Sequence, residues 1–353
     1  MYPLAISGWA AVSPLGIATE DFAAGVRVGA RALTTMEGGD ELPLPEAAIV
    51  PGFDIPAVLG RKGTRSMDRS TALAVVGVGG LLDNAASDVR SAADGPVGLV
   101  LGTNTGSAKS MMDFTRDSLV QEKPFYVDPA RFPNTVMNRA AGQCAIWYQL
   151  RGPNATIAGG HATGLLVLQY AARLRGCGHA GAVLCGAVEE FSAQRAWLEF
   201  LASDTPATAA PLGEGCAVFL LESSAAARQH GRRVHAKLLA VKVGVAGPDN
   251  PAALVLARCI RAVLAEVSTG ERGFVAPAGY PDARGEAERT AIGETLGGWQ
   301  VLTPVAELIG DTSAVSASFQ IAALLAEPQP GQLAMVTAVD REGTAGCALL
   351  RMA

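Results

Sequence analysis

A layered α/β fold of two similar halves is predicted by three observations. Short β-branched or apolar runs alternate with longer helical patterns along the 353 residues. Gly215-Cys216-Ala217-Val218-Phe219-Leu220-Leu221 is echoed by Gly346-Cys347-Ala348-Leu349-Leu350, each placed as a terminal strand. A fresh strand opens at 234–243, after the polar, Arg-rich stretch Ser223–Arg233, which reads as a surface connection. The halves are therefore residues 1–230 and 231–353. In chain order the predicted strands are Leu4–Gly8, Val97–Leu101, Ala182–Cys185, Ala217–Leu221, Ala236–Val243, Gly273–Val275, Met335–Val339 and Cys347–Arg351. The predicted helices are Met67–Ala86, Thr135–Leu150, His161–Arg175, Asn250–Val267, Ala287–Leu296 and Thr312–Leu325. The helix from Met67 is apolar almost all round (Ala72, Leu73, Val75, Val76, Val78), which places it between layers.

Composition narrows the function. With 28 basic and 33 acidic residues the net charge is −5, and a mildly acidic chain lacks the footprint of a nucleic-acid binder. Trp9, Trp147, Trp197 and Trp299 are scattered rather than interleaved with basic residues. Low charge (17%) with a mean hydropathy of +0.26 leaves apolar surface to hide, and a subunit interface hides it. Met1–Ile6 reads as a first strand rather than a leader, and no apolar run is long enough to cross a bilayer. The six cysteines, Cys144, Cys177, Cys185, Cys216, Cys259 and Cys347, form no CxxC pair. They read as small buried hydrophobes in a reducing cytoplasm, with neither metal nor disulfide expected. Gly102-Thr103-Asn104-Thr105-Gly106 lacks phosphate-loop spacing and reads as a turn, so no cofactor is expected.

Motifs then converge on one family. They are Ile6-Ser7-Gly8 with Ser13-Pro14-Leu15-Gly16, Arg65-Ser66-Met67-Asp68-Arg69, and Phe132 to Asn138 (FPNTVMN). Ala141-Gly142-Gln143, Leu150-Arg151-Gly152-Pro153-Asn154 and Gly213-Glu214-Gly215 follow in the same order. Over roughly residues 1–225 the chain resembles the β-ketoacyl-acyl-carrier-protein synthases, decarboxylative condensing enzymes with a thiolase fold. The resemblance implies a layered α-β-α-β-α architecture. Beyond about residue 240 it is faint, and the second half is shortened.

That family uses a cysteine at a helix N-terminus to take the acyl chain as a thioester, and two histidines to polarise the malonyl thioester. By the resemblance, the cysteine position falls on His161, in Gly159-Gly160-His161-Ala162-Thr163. The first histidine would lie in Phe274 to Tyr280, which contains none and places Pro277 there. The second falls on Asp311 in Gly310-Asp311-Thr312, and a family lysine falls on Ala306. A C-terminal glycine-rich loop survives as Gly343-Thr344. The other histidines fill neither role: His179 reads as a surface turn, and His230 and His235 as a solvated face.

Loss of the nucleophile on a retained scaffold resembles the chain-length factors of type II polyketide systems. These lack the cysteine and pair with a catalytic ketosynthase; their familiar replacement is glutamine, whereas this chain has histidine. The resemblance implies a heterodimer, with acyl carrier protein as a further partner. Met111, Met112, Phe114, Phe125 and Phe132 become candidates for a tunnel gate, against ordinary packing. Arg61, Lys62, Arg65 and Arg69, spaced for one helical face, become candidates for carrier-protein docking, against a solvated helix start. A helix N-terminus disfavours imidazolium, so a neutral His161 is expected. A self-sufficient acyltransferase or thioester-processing enzyme using His161 and Asp311 is the alternative of a different class, with Ser313 or Thr163 as nucleophile. A stand-alone acyl-binding scaffold is a third.

Overall fold

The computed structural model describes residues 4–36, 42–85, 88–92, 94–203, 210–267 and 270–353. Its strands are β1 (Leu4–Val12), β2 (Thr34–Thr35), β3 (Glu46–Ala48), β4 (Val97–Gly102), β5 (Asn154–Ile157), β6 (Ala182–Glu189) and β7 (Leu212–Gly213). They continue as β8 (Gly215–Ser223), β9 (Ala236–Val245), β10 (Gly273–Ala276), β11 (Gln300–Val301), β12 (Leu333–Val339) and β13 (Thr344–Met352). Ten of them are hydrogen-bonded in the order β11-β10-β12-β13-β9-β1-β8-β6-β4-β5, and β2, β3 and β7 form a small separate sheet.

The large sheet repeats itself about the short antiparallel β1–β9 junction, where Leu4, Ala5 and Ile6 face Leu238, Lys237 and Ala236. Ranked by order within its own half, each five-strand set reads 1-5-4-2-3 outward from that junction. The pairing sense repeats as well: β8 is antiparallel to β1 and β6, as β13 is to β9 and β12. The outer pairs, β6–β4–β5 and β12–β10–β11, are parallel. The two echoed sequences are β8 and β13, equivalent strands of the repeat.

Helices fill three layers. Arg69–Asp83 and Arg139–Tyr148 cover the outer face of the first half, with Leu73, Val78, Leu99, Leu184 and Val218 in their core. Thr163–Gly176 and Ser316–Ala326 lie together between the halves, and Leu165, Leu168, Phe219, Phe319 and Leu350 join there. Ala252–Leu264 and Ala283–Thr295 cover the second half over Ile260, Val263, Met335 and Leu349. Three apolar cores separated by two five-strand sets make the expected α-β-α-β-α order. The ten strands of the large sheet lie in 4–223 and 236–353, so the second set is built from a shorter piece of chain. No helix among the described residues is long and apolar enough to cross a membrane.

Several element boundaries differ from expectation. The helix expected from Met67 starts at Arg69, because Asp68 caps it by accepting Thr71 N–H (2.8 Å); its expected end, Ala86, lies outside the described residues, as do Met1 to Pro3. The helix expected over Thr135–Leu150 is a 3₁₀ stretch, Pro129–Thr135, then a helix from Arg139. His161–Arg175 divides into a 3₁₀ turn, Gly160–Ala162, and a helix proper from Thr163. Ser223–Arg233 is not a plain surface connection. It holds a helix, Ser224–Gln229, and buries Arg232 in a bidentate pair with Glu222 (2.6 and 2.7 Å). His230 and His235 are half-buried there rather than solvated, and burial together with Arg233 lowers the His235 pKa. His179 is exposed in its turn, and Cys177 is exposed while the other five cysteines are buried.

The central helices meet at Gly164, where a Cβ would lie 2.9 Å from Ser318 Oγ and 3.0 Å from Ala317 Cβ. Gly164→Val should therefore cost about 1–3 kcal/mol by overpacking. Urea unfolding followed by circular dichroism checks this; an unchanged midpoint would refute the close approach.

Candidate functional site

His161 follows β5 through Gly159-Gly160 and sits in the 3₁₀ turn that leads into the central helix. Gly160 has φ +55°, in the left-handed region, and a Cβ on it would fall 1.8 Å from Asp340 Oδ1. Only glycine lets that carboxylate reach the backbone here. Asp340 Oδ1 accepts the His161 backbone N–H (2.8 Å) and also lies 3.1 Å from Nδ1. On the opposite edge of the ring, Nε2 is 3.0 and 3.1 Å from the two oxygens of Asp311. Asp340 comes from the β12–β13 turn, where its Oδ2 also accepts Glu342 N–H (2.9 Å). Asp311 follows Gly310 and accepts Ser313 N–H (2.8 Å). Both aspartates belong to the second half and His161 to the first.

Arg284 completes the cluster. Its Nη1 lies 2.7 and 3.0 Å from the imidazole nitrogens, and Nη2 is 2.7 Å from Asp282 and 3.6 Å from Asp311. The guanidinium stacks on Tyr280 at 4.1 Å, and the Tyr280 ring meets His161 edge-on at 4.8 Å. Asp282 caps the helix Ala283–Thr295 and thereby aims Arg284 inward. His161, Asp311, Asp340, Arg284 and Tyr280 are all buried.

The charged neighbours bias the protonation of the ring. Three carboxylates face one guanidinium, so a second cation leaves the cluster closest to neutral. Burial works to discharge His161, but Asp311 and Asp340 outweigh it and hold the pKa above the ordinary histidine value, against Arg284. Asp311 is held well below the carboxylate range despite burial, and Asp340 is lowered to about 2. The expectation of a neutral His161 took no account of this pair of aspartates, which draws its pKa upward. It rested on the helix dipole, whereas a 3₁₀ turn separates His161 from the helix proper and two full negative charges lie at hydrogen-bond distance.

The remaining candidates distribute as follows. Pro277 does not join the cluster; it lines a separate cleft of about 1180 Å³ with Phe274, Ala276 and Leu302. Ser313 is buried with its Oγ unpartnered, and Thr163 Oγ1 donates to Gly160 O while accepting Gly159 N–H. Neither hydroxyl bonds His161. Met111, Phe125 and Phe132 are exposed, and Met112 and Phe114 half-buried, so ordinary core packing does not describe them. Arg61, Lys62 and Arg65 are exposed in a turn, not on a helical face. Arg69 leaves that set: its guanidinium grips the fully buried Glu214 at 2.5 and 2.7 Å. The loop 102–106 encloses an internal anion, with Thr103 Oγ1, Asn104 N and Thr105 N and Oγ1 all donating to buried Glu189. Sequence reasoning missed Asp340 and Arg284. Their signals were present: an acidic residue opening the turn before Gly343, and an N-cap aspartate two residues before an arginine.

A doubled 1-5-4-2-3 sheet around two buried helices is the scaffold of the thiolase-fold condensing enzymes. This chain belongs to the beta-ketoacyl synthase family, whose N-terminal domain matches residues 1–227. It is 44% identical to a solved structure described as the ishigamide ketosynthase/chain length factor, over 99% of both chains, with a TM-score of 0.91. A beta-ketoacyl synthase from Burkholderia phymatum STM815 shares the fold, at 22% identity and a TM-score of 0.85 over both whole chains. The 3-oxoacyl-[acyl-carrier-protein] synthase 2 of Vibrio cholerae is 25% identical over 253 residues, 66% of this chain and 61% of that protein. The match thus spans about three-fifths of the length of such curated relatives.

The pKa directions set a pH profile. The raised His161 value contributes stability in full below pH 6.5, and this is lost as pH rises through the folded-state pKa. The lowered Asp340 value contributes in full above pH 3.8, and this is lost as pH falls towards about 2. His161→Gln should cost about 3–5 kcal/mol by stranding two buried carboxylates, and should flatten the alkaline limb. Denaturant unfolding across the pH range measures both; an alkaline decline equal to wild type would show that His161 is neutral.

Proposed function

We propose that this chain is a non-catalytic, chain-length-factor-like subunit that pairs with a catalytic ketosynthase in type II polyketide, or fatty-acid-type, chain elongation in the cytoplasm. One observation carries the reading. The position that resembles the family's nucleophile holds an imidazole flanked by Asp340 and Asp311, and by the same resemblance neither histidine position holds histidine. An imidazole has no sulfur with which to take an acyl chain as a thioester. The 44% identity to a ketosynthase/chain length factor over the whole chain supports the same reading.

A non-catalytic chain needs a partner that supplies the cysteine and both histidines, and its surface offers one face for it. Met111, Phe125, Phe132, Met137 and Ile146 are exposed on neighbouring segments. β5, which carries the chain into the His161 turn, is an edge strand of the large sheet. Apolar side chains beside a sheet edge suit a second subunit of the same architecture. Within that interface Met111, Met112, Phe114, Phe125 and Phe132 are the residues that would form part of the tunnel wall. Arg61, Lys62 and Arg65 remain the cations that would meet an acidic carrier protein. Among the described residues the acyltransferase alternative has no nucleophile hydrogen-bonded to His161.

Two outcomes follow. Purified alone, the chain should not condense acyl and malonyl thioesters; co-expressed with its ketosynthase it should co-purify, and condensation should vanish when the partner's cysteine is replaced. Turnover by the isolated chain would overturn the proposal. Alanine substitution across the five tunnel residues should lengthen the product at the true gate, read by mass spectrometry; an unchanged product with all five would remove the gate from this segment.

A further inference from the structure

Two clefts border the ion cluster. One, narrow at about 30 Å³, is lined by Phe191, Phe200, Asp282, Arg284, Asp311 and Arg341 among others. The other, of about 460 Å³, is lined by Pro281, Asp282, Arg284, Asp340 and Arg341 among others. Asp311 borders the first and Asp340 the second, and His161 bonds both. Yet His161 lines neither cleft and is only 3% exposed. Asp282, Arg284 and Arg341 are the charged residues common to both linings, and Arg284 is the one that lies against the imidazole.

We propose that Arg284 is a plug: its guanidinium closes the passage by which a small thioester or electrophile would otherwise reach position 161 from either cleft. The side chain is well fixed for this. Asp282 holds it from its own helix cap, Asp311 pairs with it from the loop after Gly310, and Tyr280 lies flat beneath it at 4.1 Å. Three contacts on one planar cation leave it little rotamer freedom. Emptying position 161 of its imidazole would leave the plug in place, because Asp282 and Tyr280 hold it independently of His161. The pocket is thus shut twice, by the ion cluster and by the arginine in front of it.

The test reads access at position 161 directly. In the full chain carrying His161→Cys, timed pulses of N-ethylmaleimide and peptide mapping compare the introduced thiol with exposed Cys177. Buried Cys185 in the same chain reports that the fold is intact. The introduced thiol should react at least about tenfold more slowly than Cys177, and adding Arg284→Ala should speed it at least about tenfold while Cys185 stays protected. Should stranded carboxylates expose Cys185, the same pair is measured with Asp340→Asn added to both chains. Reaction of the introduced thiol at the Cys177 rate while Arg284 is present would overturn the proposal. So would a thiol that stays slow after Arg284→Ala, since another group would then be the barrier.

Discussion

The His161 imidazole held between two buried aspartates is the interaction on which the centre of this molecule depends. His161 comes from the first half, and Asp311 and Asp340 from two separate loops of the second. Charges this deeply buried cost several kcal/mol each to desolvate, so each is tolerable only while the others are present. The cluster therefore does more than fill space. It ties the turn ahead of one central helix, Thr163–Gly176, to the turn ahead of the other, Ser316–Ala326, and to the β12–β13 turn. Much of the rest of the central layer joins by apolar contact, which is adaptable in register; the ion cluster, with Gln320 donating to Ala276 and Thr337 carbonyls, fixes one arrangement.

Buried carboxylates recur elsewhere as organising points. Glu189 gathers the donors of the loop after β4, and Glu214 anchors Arg69 while accepting Val50 and Phe191 N–H. Glu222 holds Arg232 at the junction of the halves and accepts the Ser7 hydroxyl. Glu190 is pushed up to about 7 by burial and by Asp68, and bonds Ser70 N–H and Ser107 Oγ. A chain with few charged residues has placed many of its acids where loops need anchoring.

Eight strands of the large sheet were legible because their β-branched and apolar runs are bounded by glycine, proline and polar residues. The helices Arg69–Asp83 and Ala252–Leu264 were legible by their apolar periodicity. β5 and β11 were not: at four and two residues they carry no pattern, and their pairing comes from the neighbouring strands. The helices Thr19–Val28 and Ala108–Val120 were missed because charges and threonine dilute their apolar stripes. For the site, His161 and Asp311 were brought together by motif order alone. Asp340 and Arg284 were invisible at that level, since nothing local marks which surface-type charge will be turned inward. The fate of Arg69 shows the same limit from the other side: its spacing suited a docking face, and a buried glutamate 145 residues away claimed it.

The contact between Gly160 and Asp340 has a consequence for how this sequence can change. A cysteine placed at position 161 would leave one carboxylate pressed against a bare backbone and another without its imidazole partner, with Arg284 lying across the position. Three loops converge on that one side chain, so position 161 does not vary by itself: a change this fold accepts there is a change of several residues together.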